Sequence, residues 1–196
     1  MKLPNMLTLI RIGISPLFIL FFLINSTWSL IVCILLVGAI ELTDFLDGQI
    51  ARRYEQITDF GRLMDPFADS IARFTIFLCF LSAGLAPVWL IAIFFYRDVL
   101  VSVVRIFSMR EGVVVSARRS GKTKAWVQAL CIFLVLFVLL AEKVSLLPDA
   151  LSRLPLETAF IFIAAVITAW SAVDYWASNR SVVINALNSR TSSRTS

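Results

Sequence analysis

Four aspartates in the sequence are spaced as they would be in a site that binds divalent cations. Asp44 precedes Asp47 by three residues, and Asp65 precedes Asp69 by four. In an α-helix, either spacing places both carboxylates on one face. If two antiparallel helices carry the pairs, the four carboxylates meet, and their repulsion calls for cations between them. The pattern predicts a metal site formed by Asp44, Asp47, Asp65 and Asp69, with a phosphate ester or diphosphate as substrate.

The rest of the composition narrows the choice of metal. The chain has no histidine, and its three cysteines, Cys33, Cys79 and Cys131, stand singly in apolar stretches without zinc-ligand spacing. Acid–base chemistry must then fall to carboxylates. Ligands that are all oxygen favour Mg²⁺ or Mn²⁺. Two such ions, about 4 Å apart, would stabilise charge on a phosphate during in-line attack.

Three other interpretations of the aspartates stay open at this point. They could be ion-pair partners of nearby arginines, namely Arg52, Arg53, Arg62 and Arg73. They could mark the ion path of a cation-coupled membrane transporter, although they cluster at one end of the predicted helices. They could bind the diphosphate of an intramembrane prenyltransferase, whose usual motifs do not match this chain.

The elements that would position these aspartates are membrane helices. Of the 196 residues, 59% are hydrophobic and 16% are charged, and the mean hydropathy is +0.88. A membrane span needs about 20 apolar residues. We therefore predict an all-α integral membrane protein with an amphipathic N-terminal entry segment, in which Arg11 reaches the lipid headgroups. Its six transmembrane helices are predicted at 7–25, 28–52, 60–82, 87–108, 124–142 and 157–178.

The distribution of charge predicts how these helices are oriented. Most of the Lys and Arg residues fall on the side that holds both termini and the aspartates, and only Lys143 and Arg153 fall on the other. By the positive-inside rule, we predict that the protein lies in the inner membrane with both termini and the site on the cytoplasmic side. The net charge of +5 suits anionic lipid headgroups better than nucleic acid, because the basic residues are not interleaved with aromatics. We expect one domain at 1–187 and a disordered polar tail at 188–196.

The aspartates belong to a longer pattern. The stretch Asp44-Phe-Leu-Asp47-Gly48-Gln-Ile-Ala51-Arg52 is followed, after eight, three and three residues in turn, by Gly61, Asp65 and Asp69. It resembles the signature of the CDP-alcohol phosphotransferase family. That resemblance implies that the four aspartates hold two divalent ions and the donor diphosphate, with Asp69 as the base and Asp65 as the second catalytic candidate. It also implies that Gly48, Ala51 and Arg52 frame the cytidine nucleotide, that Gly61 keeps the cavity open, and that the protein forms homodimers.

Other stretches resemble one subfamily, the bacterial phosphatidylglycerophosphate synthases. They are the opening Pro4 to Arg11, the segment Arg97 to Arg105, and Gly121 to Lys124. The resemblance implies CDP-diacylglycerol as donor and glycerol 3-phosphate as acceptor, while phosphatidylinositol-phosphate synthase stays as an alternative. An anionic acceptor needs cations at its phosphate. The candidates are Arg105, Arg110, Arg118, Lys122 and Lys124, any of which could instead only set the topology. We expect Arg97 and Asp98 to form a structural pair and Asp174 to cap its helix.

Overall fold

The structure is a computed structural model that describes residues 3–53, 59–110 and 119–192. Within these ranges the chain is helix and turn, without strands. The helices are α1 (Leu3–Ile24), α2 (Thr27–Arg53), α3 (Asp59–Ser82), α4 (Val88–Arg110), α5 (Arg119–Lys143), α6 (Asp149–Ser152) and α7 (Leu156–Ser192). The predicted all-α architecture is confirmed. Each of the six predicted segments overlaps one of the six long helices.

Local sequence explains where the helices begin and end. The reciprocal bonds of Ser26 and Ser29 cap the start of α2, because each backbone N–H donates to the other hydroxyl, at 2.9 and 3.2 Å. Asn25 and Gly84 take left-handed backbone conformations, with φ of 50° and 73°, in the turns after α1 and α3. Prolines at 87, 148 and 155 precede α4, α6 and α7, where a missing N–H costs nothing.

The long helices pack as two groups that meet along their lengths. In the first group, α1 packs against α2 and α3, and in the second, α7 packs against α4 and α5. Contacts of α2 with α5, and of α3 with α4, join the groups. Aromatic side chains fill the core between them, and the rings of Phe77 and Phe94 stack with their centroids 4.2 Å apart. The turns after α1 and α3 lie at one end of the bundle, here called the loop end. The end of α2 and the start of α3 lie at the other, the site end.

The outer surface of the bundle is apolar. Large side chains such as Leu20, Leu35 and Val173 are more than half exposed, which suits a protein surrounded by lipid rather than water. Three helical segments are long and apolar enough to cross a membrane, Thr27–Leu46, Ser120–Lys143 and Leu156–Arg180, and Thr8–Ile24 is a shorter apolar helix. The chain is thus a helical membrane protein with three candidate spans among the described residues.

Two sequence predictions differ from the structure at the termini. Arg11 does not reach out to headgroups, because its side chain is fully buried and α1 is one continuous helix from Leu3. The cause is an acidic partner in the bundle, described below. The sixth predicted helix ended at residue 178, whereas α7 continues to Ser192. The predicted tail at 188–196 therefore overlaps the last turn of α7, and residues 193–196 lie outside the described residues.

Candidate active site

A polar cavity of about 320 Å³ opens at the site end of the bundle. Helices α2, α3, α4, α5 and α7 all contribute to its lining. Five of the residues predicted for the site from the sequence lie along its wall: Asp44, Asp69, Arg105, Lys122 and Lys124. The structure therefore brings two of the candidate metal ligands to the same cavity as three of the candidate acceptor-binding cations.

Asp44 projects from α2 and is paired with a cation from α1. Nη1 of Arg11 lies 3.1 Å from Oδ1 of Asp44. The Arg11 side chain has no exposed surface, whereas 43% of the Asp44 side chain is exposed. A buried guanidinium in an apolar bundle needs such a carboxylate. This pair explains why Arg11 turns inward instead of toward the lipid surface.

Asp69, on α3, is held by an arginine one helical turn further along. Nη1 of Arg73 donates to Oδ2 of Asp69 at 2.6 Å. Nε and Nη2 of the same guanidinium face Glu41 of α2, at 3.3 to 3.4 Å. The second oxygen of Asp69, Oδ1, is buried and has no hydrogen-bond partner among the described residues. Arg73 therefore occupies one Asp69 oxygen, and the other is buried in a residue that lines the cavity.

The cationic part of the cavity is built around Asp98 of α4. Its Oδ1 accepts a hydrogen bond from Nη1 of Arg97 at 3.0 Å and another from Nζ of Lys124 at 2.8 Å. Nη2 of Arg97 also donates to Ser171 of α7, at 3.2 Å. The expected pairing of Arg97 with Asp98 is confirmed, and Lys124 joins it. Two cations share one carboxylate, so this wall keeps an excess of positive charge.

The remaining described cations differ in accessibility. Arg105 is half-buried and Lys122 is exposed, and neither forms an ion pair recorded among the described residues. Near them, the Ser120 hydroxyl donates to Oδ2 of Asp174 at 2.5 Å. Asp174 lies inside α7, so it does not cap the end of its helix as the sequence suggested. Its bond to Ser120 ties α5 to α7 beside the cavity.

Other predicted site residues can be placed only by element. Asp47, Gly48, Ala51 and Arg52 lie in α2, Gly61 and Asp65 in α3, and Arg110 in α4. Their side chains lie outside the described part of the structure, and so does Arg118 altogether. Among the side chains that the structure does describe, no three from His, Cys, Asp and Glu form a group that could hold a metal ion. The four-aspartate metal site thus stays a prediction.

Sequence reasoning gave no site role to three charged residues that form ion pairs with the aspartates or with one another: Arg11, Glu41 and Arg73. Arg73 was considered only as one of several possible partners of the aspartates, although its four-residue spacing from Asp69 on α3 identifies the contact. Glu41 and Arg11 carry a different signal. Each is a charged residue within a largely apolar segment, where it needs a partner. A charged residue in an apolar segment thus predicts an ion pair, but it does not identify the partner residue.

The arrangement suits chemistry on a phosphate ester. Helices α2 and α3 contribute the carboxylates of Asp44 and Asp69 to the cavity, and α4 and α5 contribute most of its cations. The two motif carboxylates described there, Asp44 and Asp69, offer oxygen ligands, and the buried Oδ1 of Asp69 has no hydrogen-bond partner among the described residues. These residues fit a hard divalent cation, which coordinates oxygen. The cationic part fits the phosphate of a second substrate.

Comparison with known proteins gives one consistent result. A family model described as CDP-alcohol phosphatidyltransferase matches residues 1–172. A Bacillus subtilis protein named CDP-diacylglycerol--glycerol-3-phosphate 3-phosphatidyltransferase is 29% identical over 190 residues, which cover 91% of this chain and 95% of the relative. A Pseudomonas fluorescens protein of the same name is 32% identical over 180 residues, covering 89% of this chain and 88% of the relative. The match therefore extends over the bundle and not only over the aspartate motif.

Proposed function

Because the chain belongs to the CDP-alcohol phosphatidyltransferase family, we propose that it transfers the phosphatidyl group of CDP-diacylglycerol to glycerol 3-phosphate and releases CMP. The names of the relatives support this donor and this acceptor. The observation that carries the proposal is the shared cavity, in which Asp44 and Asp69 lie with Arg105 and Lys122. A donor diphosphate and an acceptor phosphate need these two kinds of wall side by side.

In the proposed reaction, Asp69 acts as the general base. Its carboxylate accepts the proton of the acceptor hydroxyl, and the hydroxyl oxygen attacks the β-phosphorus of the donor. A new P–O bond forms as the P–O bond to CMP breaks, and the electron pair leaves with CMP. Asp44, Asp47 and Asp65 would hold two Mg²⁺ or Mn²⁺ ions together with Asp69. When bound, these ions supply charge stabilisation at the phosphate oxygens.

The other residues bind and orient the two substrates. Gly48, Ala51, Arg52 and Gly61 would frame the cytidine nucleotide, as the family resemblance implies. Arg105 and Lys122 would bind the acceptor phosphate, together with Arg110 and Arg118. Lys124 contributes positive charge to the same wall. Its bond to Asp98 also joins α5 to α4. A phosphorylated acceptor suits this wall better than a neutral alcohol.

We further propose that six helices span the membrane with both termini in the cytoplasm. Four of the five tryptophans support two interface levels, since Trp28 and Trp89 lie near the loop end and Trp126 and Trp176 lie toward the site end. The site then faces the cytoplasm of the cell, where glycerol 3-phosphate is soluble, while the acyl chains stay in the inner membrane. A homodimer is expected from the family resemblance, and chemical crosslinking in membranes would detect it.

The test is CMP release by the purified full-length protein in detergent. CDP-diacylglycerol and Mg²⁺ are supplied with glycerol 3-phosphate, inositol phosphate, inositol or serine. We expect release that depends on glycerol 3-phosphate and that Asp69→Asn abolishes. Release with inositol phosphate alone would keep the chemistry and change the acceptor, while no release with any acceptor from folded protein would contradict the proposal.

A further inference from the structure

We propose that Arg73 and Glu41 are positioning residues that orient the carboxylate of Asp69 and keep its negative charge available to the cavity. The inference rests on the proposed function, because it concerns the base of that reaction. Neither residue belongs to the aspartate motif. Both act through Asp69 rather than on the substrate.

The first support is the burial and geometry of Arg73. Only 4% of its side chain is exposed, so its charge must be met within the protein. It bridges Asp69, four residues away on α3, and Glu41 on α2. The planar guanidinium presents its donors in a fixed fork. Glu41 on one side of the fork therefore restricts how Nη1 can meet Asp69 on the other.

The second support is the difference in hydrogen bonding between the two Asp69 oxygens. Oδ2 accepts a short hydrogen bond from Arg73, whereas Oδ1 is buried without a partner among the described residues. A buried carboxylate oxygen without a donor is costly. Its orientation persists because Arg73 fixes the carboxylate through Oδ2. The carboxylate of Asp69, which lines the cavity, is thereby held in one orientation before any substrate arrives, which is the preorganisation that catalysis uses.

The third support is the balance of charge. Arg73 alone would neutralise Asp69 and weaken its attraction for a cation or a proton. Glu41 lies at 3.3 Å from the same guanidinium and offsets that positive charge. Asp69, Arg73 and Glu41 together keep one net negative charge. Glu41 therefore does more than fix an angle, since its removal would leave Asp69 to offset the arginine charge and would cancel the net negative charge at the base.

The charge argument gives Glu41→Gln a specific outcome. The variant keeps the size of the side chain and one carbonyl acceptor but loses the charge. We expect the Kd for Mn²⁺, measured by the electron paramagnetic resonance signal of free Mn²⁺, to rise by about 10-fold or more, as for other groups that orient metal ligands. The value of kcat for CMP release should fall by a similar factor. The KM for glycerol 3-phosphate should stay within about twofold, because the acceptor-binding wall is untouched.

Variants of Arg73 and one matched control complete the test. Arg73→Lys keeps the charge but not the fork, so we expect kcat between the values of the wild type and Arg73→Met. Glu142→Gln changes an exposed carboxylate at the loop end and should behave as wild type. The elution profile and melting temperature in detergent are recorded for each variant. If Arg73→Met does not fold, Glu41→Gln and Arg73→Lys still decide the question.

The proposal would be overturned if folded Glu41→Gln bound Mn²⁺ and turned over like the wild type. A uniform loss of kcat that followed the melting temperature alone, with unchanged Mn²⁺ binding, would also overturn it in favour of a purely structural pair. These outcomes differ from a failure of the proposed function. In that case the wild type itself would release no CMP with any acceptor.

Discussion

Nη1 of Arg11 lies 3.1 Å from Oδ1 of Asp44, and this ion pair joins the first helix to a candidate metal ligand on the second. Asp69 is also paired with an arginine, because Nη1 of Arg73, one turn further along α3, lies 2.6 Å from its Oδ2. Both described carboxylates of the motif therefore have an internal cation on one oxygen. Such pairs compensate the carboxylate charge within a membrane protein while no divalent ion is bound.

Replacing Arg11 by methionine should make the protein more dependent on divalent cations. The change leaves Asp44 without this partner and costs about 1–3 kcal/mol of stability, less than for a fully buried pair because 43% of Asp44 is exposed. Mg²⁺ should then raise the melting temperature of Arg11→Met by more than it raises that of the wild type. Arg153→Met, on an exposed residue at the loop end, is the control. Equal Mg²⁺ shifts in all three proteins would show that Asp44 is not near a bound ion.

Removal of divalent cations should abolish activity without unfolding the protein. Asp44 and Asp69 are already compensated by Arg11 and Arg73, so chelation with EDTA should change the helical circular dichroism signal little. CMP release should fall to background and return on addition of Mg²⁺ or Mn²⁺, because the donor set predicted from the sequence is all oxygen. Activity that persists in EDTA would contradict the metal-assisted mechanism.

The helices and the meeting of Asp44 and Asp69 could be predicted from the sequence, because both depend on local patterns. Hydropathy gave all six long helices, and the spacing of the aspartates placed Asp44 and Asp69 at one cavity. The inward turn of Arg11 could not be predicted, since an arginine near a helix start is equally suited to lipid headgroups. Its direction depends on α1 packing beside α2, which is a tertiary fact. The same holds for Glu41, whose partner lies on another helix.

Two lysines two residues apart should differ in what they contribute. Lys122 is exposed at the cavity, so Lys122→Gln should raise the KM for glycerol 3-phosphate by about 3- to 10-fold, with kcat and melting temperature nearly unchanged. Lys124 is buried and bonded to Asp98 at 2.8 Å, so Lys124→Gln should lower the melting temperature as well. The effect of Lys122→Gln should shrink at high salt, because exposed charges are screened. Identical kinetics and stability in the two variants would contradict this assignment.

Removing Asp98 should make the stability of the protein respond to the acceptor. Asp98→Ala leaves Arg97 and Lys124 without their shared carboxylate, and the loss of one member of a buried ion pair costs about 3–5 kcal/mol. A bound phosphate group can replace that carboxylate as the anion between the two cations.

Glycerol 3-phosphate should therefore raise the melting temperature of Asp98→Ala by more than that of the wild type, in the absence of donor lipid. Glycerol, which lacks the phosphate, serves as the ligand control. Asp149→Ala, on an exposed residue that begins α6 at the loop end, serves as the protein control and should show the wild-type shift. If glycerol 3-phosphate stabilises Asp98→Ala no more than the wild type, the acceptor phosphate does not reach Arg97 and Lys124, and its site must be sought elsewhere along the cavity.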